Sequence, residues 1–230
     1  MGMGSGKDAI CCGDTFQPGP MALIADKIVE ERYKFSVVDT CCCGFVSEHR
    51  LVERSSALRP RKHLPRLPGK KKPKETGYFY RNARALASYA REKQQELGEN
   101  AKVVAILFRD SDGTASDKRG LWEDKRNSML HGFEDEAFNS GVPMLPKPKS
   151  EAWILCALKE NPYCGCDALE ERSGNDNSPA SLKDELRTRC EGKLPSREEL
   201  CDMVRQGKID YRRVRMPSFA AFRDRLNDVL

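Results

Sequence analysis

No apolar run in this chain of 230 residues approaches the roughly 20 residues that cross a bilayer, which excludes an integral membrane helix. The opening "MGMGSGKDAICC" lacks a basic segment leading into a long apolar core. It does not read as a secretory signal, so a cytoplasmic location is expected. Histidine is scarce, and His49, His63 and His131 form no cluster. The ten cysteines contain no paired Cys-x-x-Cys. Cys164 and Cys166, with Cys156, Cys190 or Cys201, make only a weak zinc signal. In a reducing compartment the adjacent Cys11-Cys12 and Cys41-Cys42-Cys43 read as thiols, most of them at core or strand positions. No ATP-binding motif stands either. "GMGSGKD" evokes a phosphate loop, but no strand precedes it and Asp8 occupies the place of the metal-holding Ser or Thr, so it reads as a flexible tail.

Acid is missing from one stretch. From Arg59 to Lys74, "RPRKHLPRLPGKKKPK" carries eight Lys and Arg with no Asp or Glu, although the net charge of the whole chain is only +5. The basicity is therefore local, and the rest of the chain is net acidic. Its prolines exclude a regular helix, and its charges attract phosphates. Arg59, Arg61, Lys62, Arg66, Lys70, Lys71, Lys72 and Lys74 are candidate nucleic-acid contacts; the plainer alternative is a solvated loop.

What is present reads as one α/β domain, with 39% hydrophobic and 33% charged residues. A short strand is expected within Asp8 to Asp14, then a helix from Met21 to Tyr33, where Leu23, Ile24, Ile28 and Val29 recur at helical spacing. "YKFSVVDTCCCGFV" reads as a second strand, or a strand and its turn, because Phe35, Val37 and Val38 are bulky or β-branched. After the basic loop, "YFYRNARALASYAREKQQELGEN" is the clearest helix, stopped by Gly98. Val103 to Phe108 has the unbroken apolar character of a strand buried in a parallel sheet. A helix over about Arg119 to Ser140, a short strand in "GVPMLP" and a helix from Ser150 continue the alternation. After the polar loop "RSGNDNSPAS", three helical segments follow.

In a parallel sheet, ligands bind beyond the carboxyl ends of the strands, and "FRDSDG" places Asp110 and Asp112 there. Residues i and i+2 of an extended backbone point the same way, so the two carboxylates could share a Mg²⁺ or Mn²⁺ ion. An EF-hand is excluded, because Ala115 and Leu121 stand where its Gly and Glu belong. Ser150 could cap the helix it begins, with Glu151 meeting the positive end.

The order of the strand with "RDSDG", a basic helix and "VPMLPKPKSEAWIL" resembles Toprim-like proteins, among them old-phage-exclusion-type nucleases and small Toprim-like proteins found beside antiphage ATPases. The resemblance spans about Asp8 to Leu158. It implies a central, mainly parallel sheet flanked by helices over residues 1–172, with the basic loop 59–74 inserted and a helical C-terminal extension over 173–230. It also implies a Mg²⁺ (or Mn²⁺) site for cleaving phosphodiesters in DNA or RNA, with Asp110 and Asp112 as the paired acids and Glu151 as a further ligand or base. Where those domains carry Glu-Gly, this chain reads Gly13-Asp14, so Asp14 takes the place of the first acid. The catalytic lysine of related nucleases has four candidates here, Lys147, Lys149, Lys183 and Lys208. The expected setting is an antiphage effector under a partner ATPase of the ABC or SMC-like type, with room for self-association.

Two alternatives stay open. "FRDSDGT" also resembles the first motif of haloacid-dehalogenase-type phosphatases, in which Asp110 would be the nucleophile and Asp112 an acid. A non-catalytic Toprim-like binding or regulatory subunit is the other.

Overall fold

The computed structural model describes residues 2–6, 8, 10–12, 15–58, 74–111 and 121–230. Its chain is mixed α/β. Strand β1 (Gly4–Gly6) pairs antiparallel with β3 (Phe16–Pro18), and β2 (Ile10–Cys12) pairs antiparallel with β4 (Gly44–Val46). Strand β5 (Ala105–Phe108) pairs parallel with β6 (Gly141–Met144), in the register Ala105 to Gly141 through Phe108 to Met144.

The glycine-rich opening is thus a strand rather than a tail. Arg197 holds it, donating to the Ser5 hydroxyl at 2.6 Å and to the Gln17 side-chain oxygen at 3.0 Å.

The expected central, mainly parallel sheet is corrected to this single parallel pair among the described residues. A physical reason lies in β6. Ala105 N–H donates to Ser140 and Arg109 N–H to Met144, a spacing that puts alternate residues of β6, and hence the Pro143 nitrogen, on the edge away from β5. A proline has no N–H to offer a further strand, so β6 ends the sheet on that side.

Helices cover both faces of the pair. On one face Ala105 and Leu107 join a core with Phe79, Ala83 and Ala87 of α3 (Lys74–Leu97) and Met129 and Phe133 of α4 (Leu121–Asp135). Gly132 permits the close crossing of α3 and α4, because a Cβ there would sit 2.5 Å from the Tyr80 carbonyl oxygen. Across the same crossing the buried Arg84 donates through Nε to Glu136 Oε1 at 2.8 Å. Helix α2 (Glu48–Ala57), capped by Ser47, packs on α3 through Leu51; the hydrophobic spacing does not announce it.

On the other face Val142 and Met144 meet α1 (Pro20–Tyr33) and α5 (Ser150–Leu158). The same core takes in α6 (Leu182–Arg189), α7 (Arg197–Arg205) and α8 (Pro217–Val229). Residues after 173 are therefore helical, as expected, but they share a core with α1 and α5. Trp153 is its centre, 4.9 Å edge-on to Phe219 and 5.9 Å from Phe222. The Trp153 indole donates to the Ser218 hydroxyl, which donates in turn to Glu170 at 2.6 Å, so the polar atoms buried with these rings are satisfied.

The stretch from Tyr33 to Val46, expected as a strand or a strand and its turn, holds bends and turns over residues 34–41 and the strand β4 at its end. The buried Asp26 carboxylate of α1 accepts from the Ser36 hydroxyl at 2.8 Å and from the Val37 and Val38 N–H groups at 2.7 and 3.2 Å. A fixed acceptor of this kind outcompetes β-propensity. The thiol expectation is corrected at one pair: Cys156 and Cys166 form a disulfide where the end of α5 meets the following turn, Cα to Cα 5.3 Å. Cys42, Cys164, Cys190 and Cys201 are free thiols. No helix among the described residues is long and apolar enough to cross a membrane.

Candidate functional site

Strand β5 delivers Arg109, Asp110 and Ser111 just past its carboxyl end, and the segment after β6 brings α5 to the same point. Main-chain pairing continues past the strands: Ser111 N–H donates to Pro146 at 3.2 Å, and the Ser111 hydroxyl donates to the Pro148 carbonyl at 3.0 Å. Two predicted acids are thereby brought together, Asp110 from β5 and Glu151 from the first turn of α5, close enough for the Glu151 charge to act on Asp110.

Asp110 Oδ1 accepts the Ser150 backbone N–H at 2.7 Å. This corrects the capping assignment. Ser150 opens the helix rather than capping it, and a carboxylate 40 residues earlier serves its exposed N–H. Burial pushes the Asp110 carboxyl up to about 6 from its ordinary 3.8; the Ser150 N–H opposes that rise, and the Glu151 charge adds to it. Desolvation is the larger effect, so the helix end only partly offsets the loss of water.

Asp112 and Asp14 lie outside the described residues, as do Arg59, Arg61, Lys62, Arg66, Lys70, Lys71 and Lys72 of the basic stretch. Lys74 begins α3, so the stretch turns helical at its last basic residue, and the Lys74 side chain is also outside what is described.

Three of the four candidate lysines are engaged in ion pairs. Lys147 meets Glu171 at 3.0 Å, Lys149 pairs with Asp176, and Lys183 reaches Asp176 at 3.4 Å. Lys208 takes part through its backbone carbonyl, which accepts from the Tyr163 hydroxyl at 3.2 Å.

Two basic groups that pattern reading passes over are fixed to the backbone on either side of Asp110, at Phe108 and Ser111. Lys125 of α4 is 2% exposed, donates to the Ser111 carbonyl at 2.5 Å and lies over the Phe79 ring at 5.5 Å. Its signal was available: Lys125, Met129 and Phe133 fall at i, i+4 and i+8, so a lysine occupies the apolar stripe of a helix. Arg109 donates through one Nη to the Phe108 carbonyl at 2.9 Å, and its guanidinium lies 5.8 Å from the Tyr78 ring centre. Its Nε and other Nη are buried with no hydrogen-bond partner among the described residues. Buried N–H groups on a cation are costly to leave unpaired, so this is a ready position for an anionic oxygen.

Asp110 and Glu151 are hard oxygen donors, and Mg²⁺ is commonly held by one or two carboxylates plus waters and substrate phosphates. The donor chemistry fits that ion, although among the described residues no group of three or more His, Cys, Asp or Glu is gathered for a metal. Comparison with protein-family models, with curated proteins and with solved structures returns no match.

Proposed function

We propose that this protein is a Mg²⁺-dependent, Toprim-like nuclease that hydrolyses phosphodiester bonds in DNA or RNA. One observation supports the reading: two carboxylates from distant parts of the chain lie within electrostatic reach of each other at the carboxyl end of a parallel strand pair, and one of them is pushed up to about 6, by burial first and by the other's charge to a smaller extent. A buried acid raised in this way favours a nearby cation.

Asp110 and Glu151 would hold the ion, with Asp112 and Asp14 as the further ligands that the resemblance implies. Bound there, Mg²⁺ would offset phosphate charge and acidify water for attack. Arg109 would offer Nε and the Nη that lack a partner among the described residues to a phosphate oxygen, and Lys125 would add positive charge through Ser111. Glu151 would act either as a ligand of this ion or, alternatively, as the base that accepts the proton of the attacking water. The basic stretch Arg59 to Lys74 would track the backbone of the nucleic acid. Within the same proposal the protein is the effector of an antiphage system controlled by a partner ATPase, since its own sequence supplies no ATP-binding motif.

A second reading has a specific observation in its favour. Asp110 Oδ1 already caps α5, which is a structural duty sufficient to explain the residue, and a non-catalytic binding subunit would need no more.

The test is cleavage of plasmid DNA, single-stranded DNA and total RNA with Mg²⁺ or Mn²⁺, alone and with any co-purifying partner. Wild type is compared with Asp110→Asn and Glu151→Gln, each checked for native circular dichroism. Asparagine keeps the acceptor for Ser150, so cleavage by wild type and its loss in folded Asp110→Asn support the nuclease. Intact nucleic acid under every condition moves the assignment to the binding subunit.

A further inference from the structure

The molecule carries a feature that shares no residue with the Asp110 and Glu151 site. Between α1, the turn Tyr211–Arg213 and α8 lies an open cleft of about 470 Å³, and four of its lining residues are arginines: Arg32, Arg212, Arg215 and Arg223. That volume falls within the roughly 300–1,000 Å³ of small-ligand sites. Its floor is carbon, from the buried Ile28 and Tyr211. The acid among the lining residues, Glu31, already accepts from the Tyr211 hydroxyl.

Two of the four guanidinium groups are paired with carboxylates and two are not. Arg212 forms a two-point pair with Asp210, at 2.9 and 3.2 Å, and Arg223 meets Asp224 at 3.0 Å, both between sequence neighbours. An anion with more oxygens can compete for these two groups at the surface. Arg32 and Arg215 donate instead to main-chain oxygens, of Asn227 at 3.4 Å and of Arg212 at 2.8 Å. Neither has a carboxylate within ion-pair distance among the described residues.

Four like charges around one concavity repel one another until a counter-anion enters, and the planar fork of arginine matches phosphate oxygens two at a time. The arrangement is compact rather than linear. The adjoining cleft is lined by Glu30, Glu31 and Asp210 along with Lys27, Arg205 and Arg212, so on that side no unbroken basic track leads away for an extended nucleic-acid backbone.

We infer that this cleft binds the linked phosphates of a polyphosphate group, carried either by a nucleoside or by the free inorganic chain. The Arg32, Arg212, Arg215 and Arg223 guanidinium groups hold the phosphate oxygens, and Ile28 and Tyr211 close the floor. The site is separate from the carboxylate pair and stands whether or not the nuclease reading does.

Titration calorimetry in metal-free buffer tests it, with inorganic tripolyphosphate and adenosine triphosphate as probes. Wild type is compared with Arg32→Gln/Arg215→Gln, and with Arg187→Gln/Arg189→Gln on α6 as a control of equal charge change. Saturable binding by wild type, weakened about tenfold or more in the cleft variant and unchanged in the control, is the expected result. Tighter binding of the nucleotide then assigns a nucleoside polyphosphate, and equal binding assigns the inorganic chain. The inference is overturned if neither probe binds saturably, if the control variant loses as much, or if a single-stranded oligonucleotide binds the cleft more tightly than both probes.

Discussion

Replacing Asp110 by Asn should make the protein more stable, and by an amount that depends on pH. In the folded chain the carboxyl titrates at about 6 against an ordinary 3.8, so the folded state holds its proton more tightly than the unfolded state does. Above the folded value both states are ionised and folding bears the whole penalty. At about 1.36 kcal/mol per pKa unit this comes to roughly 3 kcal/mol at most. As pH falls through the folded value, the folded state protonates first and the penalty shrinks, to about half near pH 5; it vanishes below the unfolded value. Asparagine is neutral at every pH and still presents an oxygen to the Ser150 N–H. Urea unfolding in metal-free buffer, followed by the fluorescence of the buried Trp153, should show a gain of roughly 2–3 kcal/mol for Asp110→Asn near pH 7.5, falling toward half near pH 5. A variant less stable than wild type near pH 7.5, or a gain indifferent to pH, would refute the burial argument. A residue kept at such a cost to stability is what a functional site predicts.

Other expectations concern the frame around the site. Gly132→Ala should lower stability by about 1–3 kcal/mol in thermal melts, because its Cβ meets the Tyr80 carbonyl and the Ala83 Cβ, at 2.5 and 2.8 Å, where α3 and α4 cross. Glu136→Ala, which strips Arg84 of its buried carboxylate, should cost about 3–5 kcal/mol in denaturant unfolding, and the double change Arg84→Met/Glu136→Leu should cost less than this single one. Phe222→Ala should cost about 3–5 kcal/mol by opening a cavity beside Trp153, with the tryptophan emission shifted to longer wavelength. Asp26→Ala should expose the turn after α1, seen as faster hydrogen exchange at the Val37 and Val38 amides with the α5 amides still protected.

Elements whose signal is local are legible in the sequence. Helices α1, α3 and α5 and strands β5 and β6 each carry their own periodicity or apolar run, and Gly98 stops α3 where a left-handed residue is needed, with φ 82°. Helix α2 is not legible, since Leu51 is the one buried residue within it and a single apolar contact makes no stripe. Val37 and Val38 mislead for a different reason: their conformation is set by Asp26, on a neighbouring helix turn that no window over the valines includes. The carboxylate pair is half legible. Asp110 follows an obvious strand and Glu151 opens an obvious helix, but their meeting depends on a parallel pairing across 36 residues of register, Ala105 to Gly141. Arg109 is harder still, because a guanidinium with only some of its N–H groups satisfied is a property of the packing around it and leaves no mark on spacing. The extent of the parallel sheet is not legible, because short apolar runs near the N-terminus carry no information about which partner they choose.

The tryptophan at the middle of the larger core also bears on how the chain is made. Trp153 lies in α5, while the Phe219 and Phe222 rings against it lie in α8. A ribosome adds about 5–20 residues each second, so α5 emerges several seconds before the helix that covers it. During that interval the indole face is bare, and the nascent chain presents a sticky surface that no local folding can hide. Synthesis thus has a vulnerable window fixed by the distance along the chain between these rings, one during which a holding chaperone has a defined place to sit.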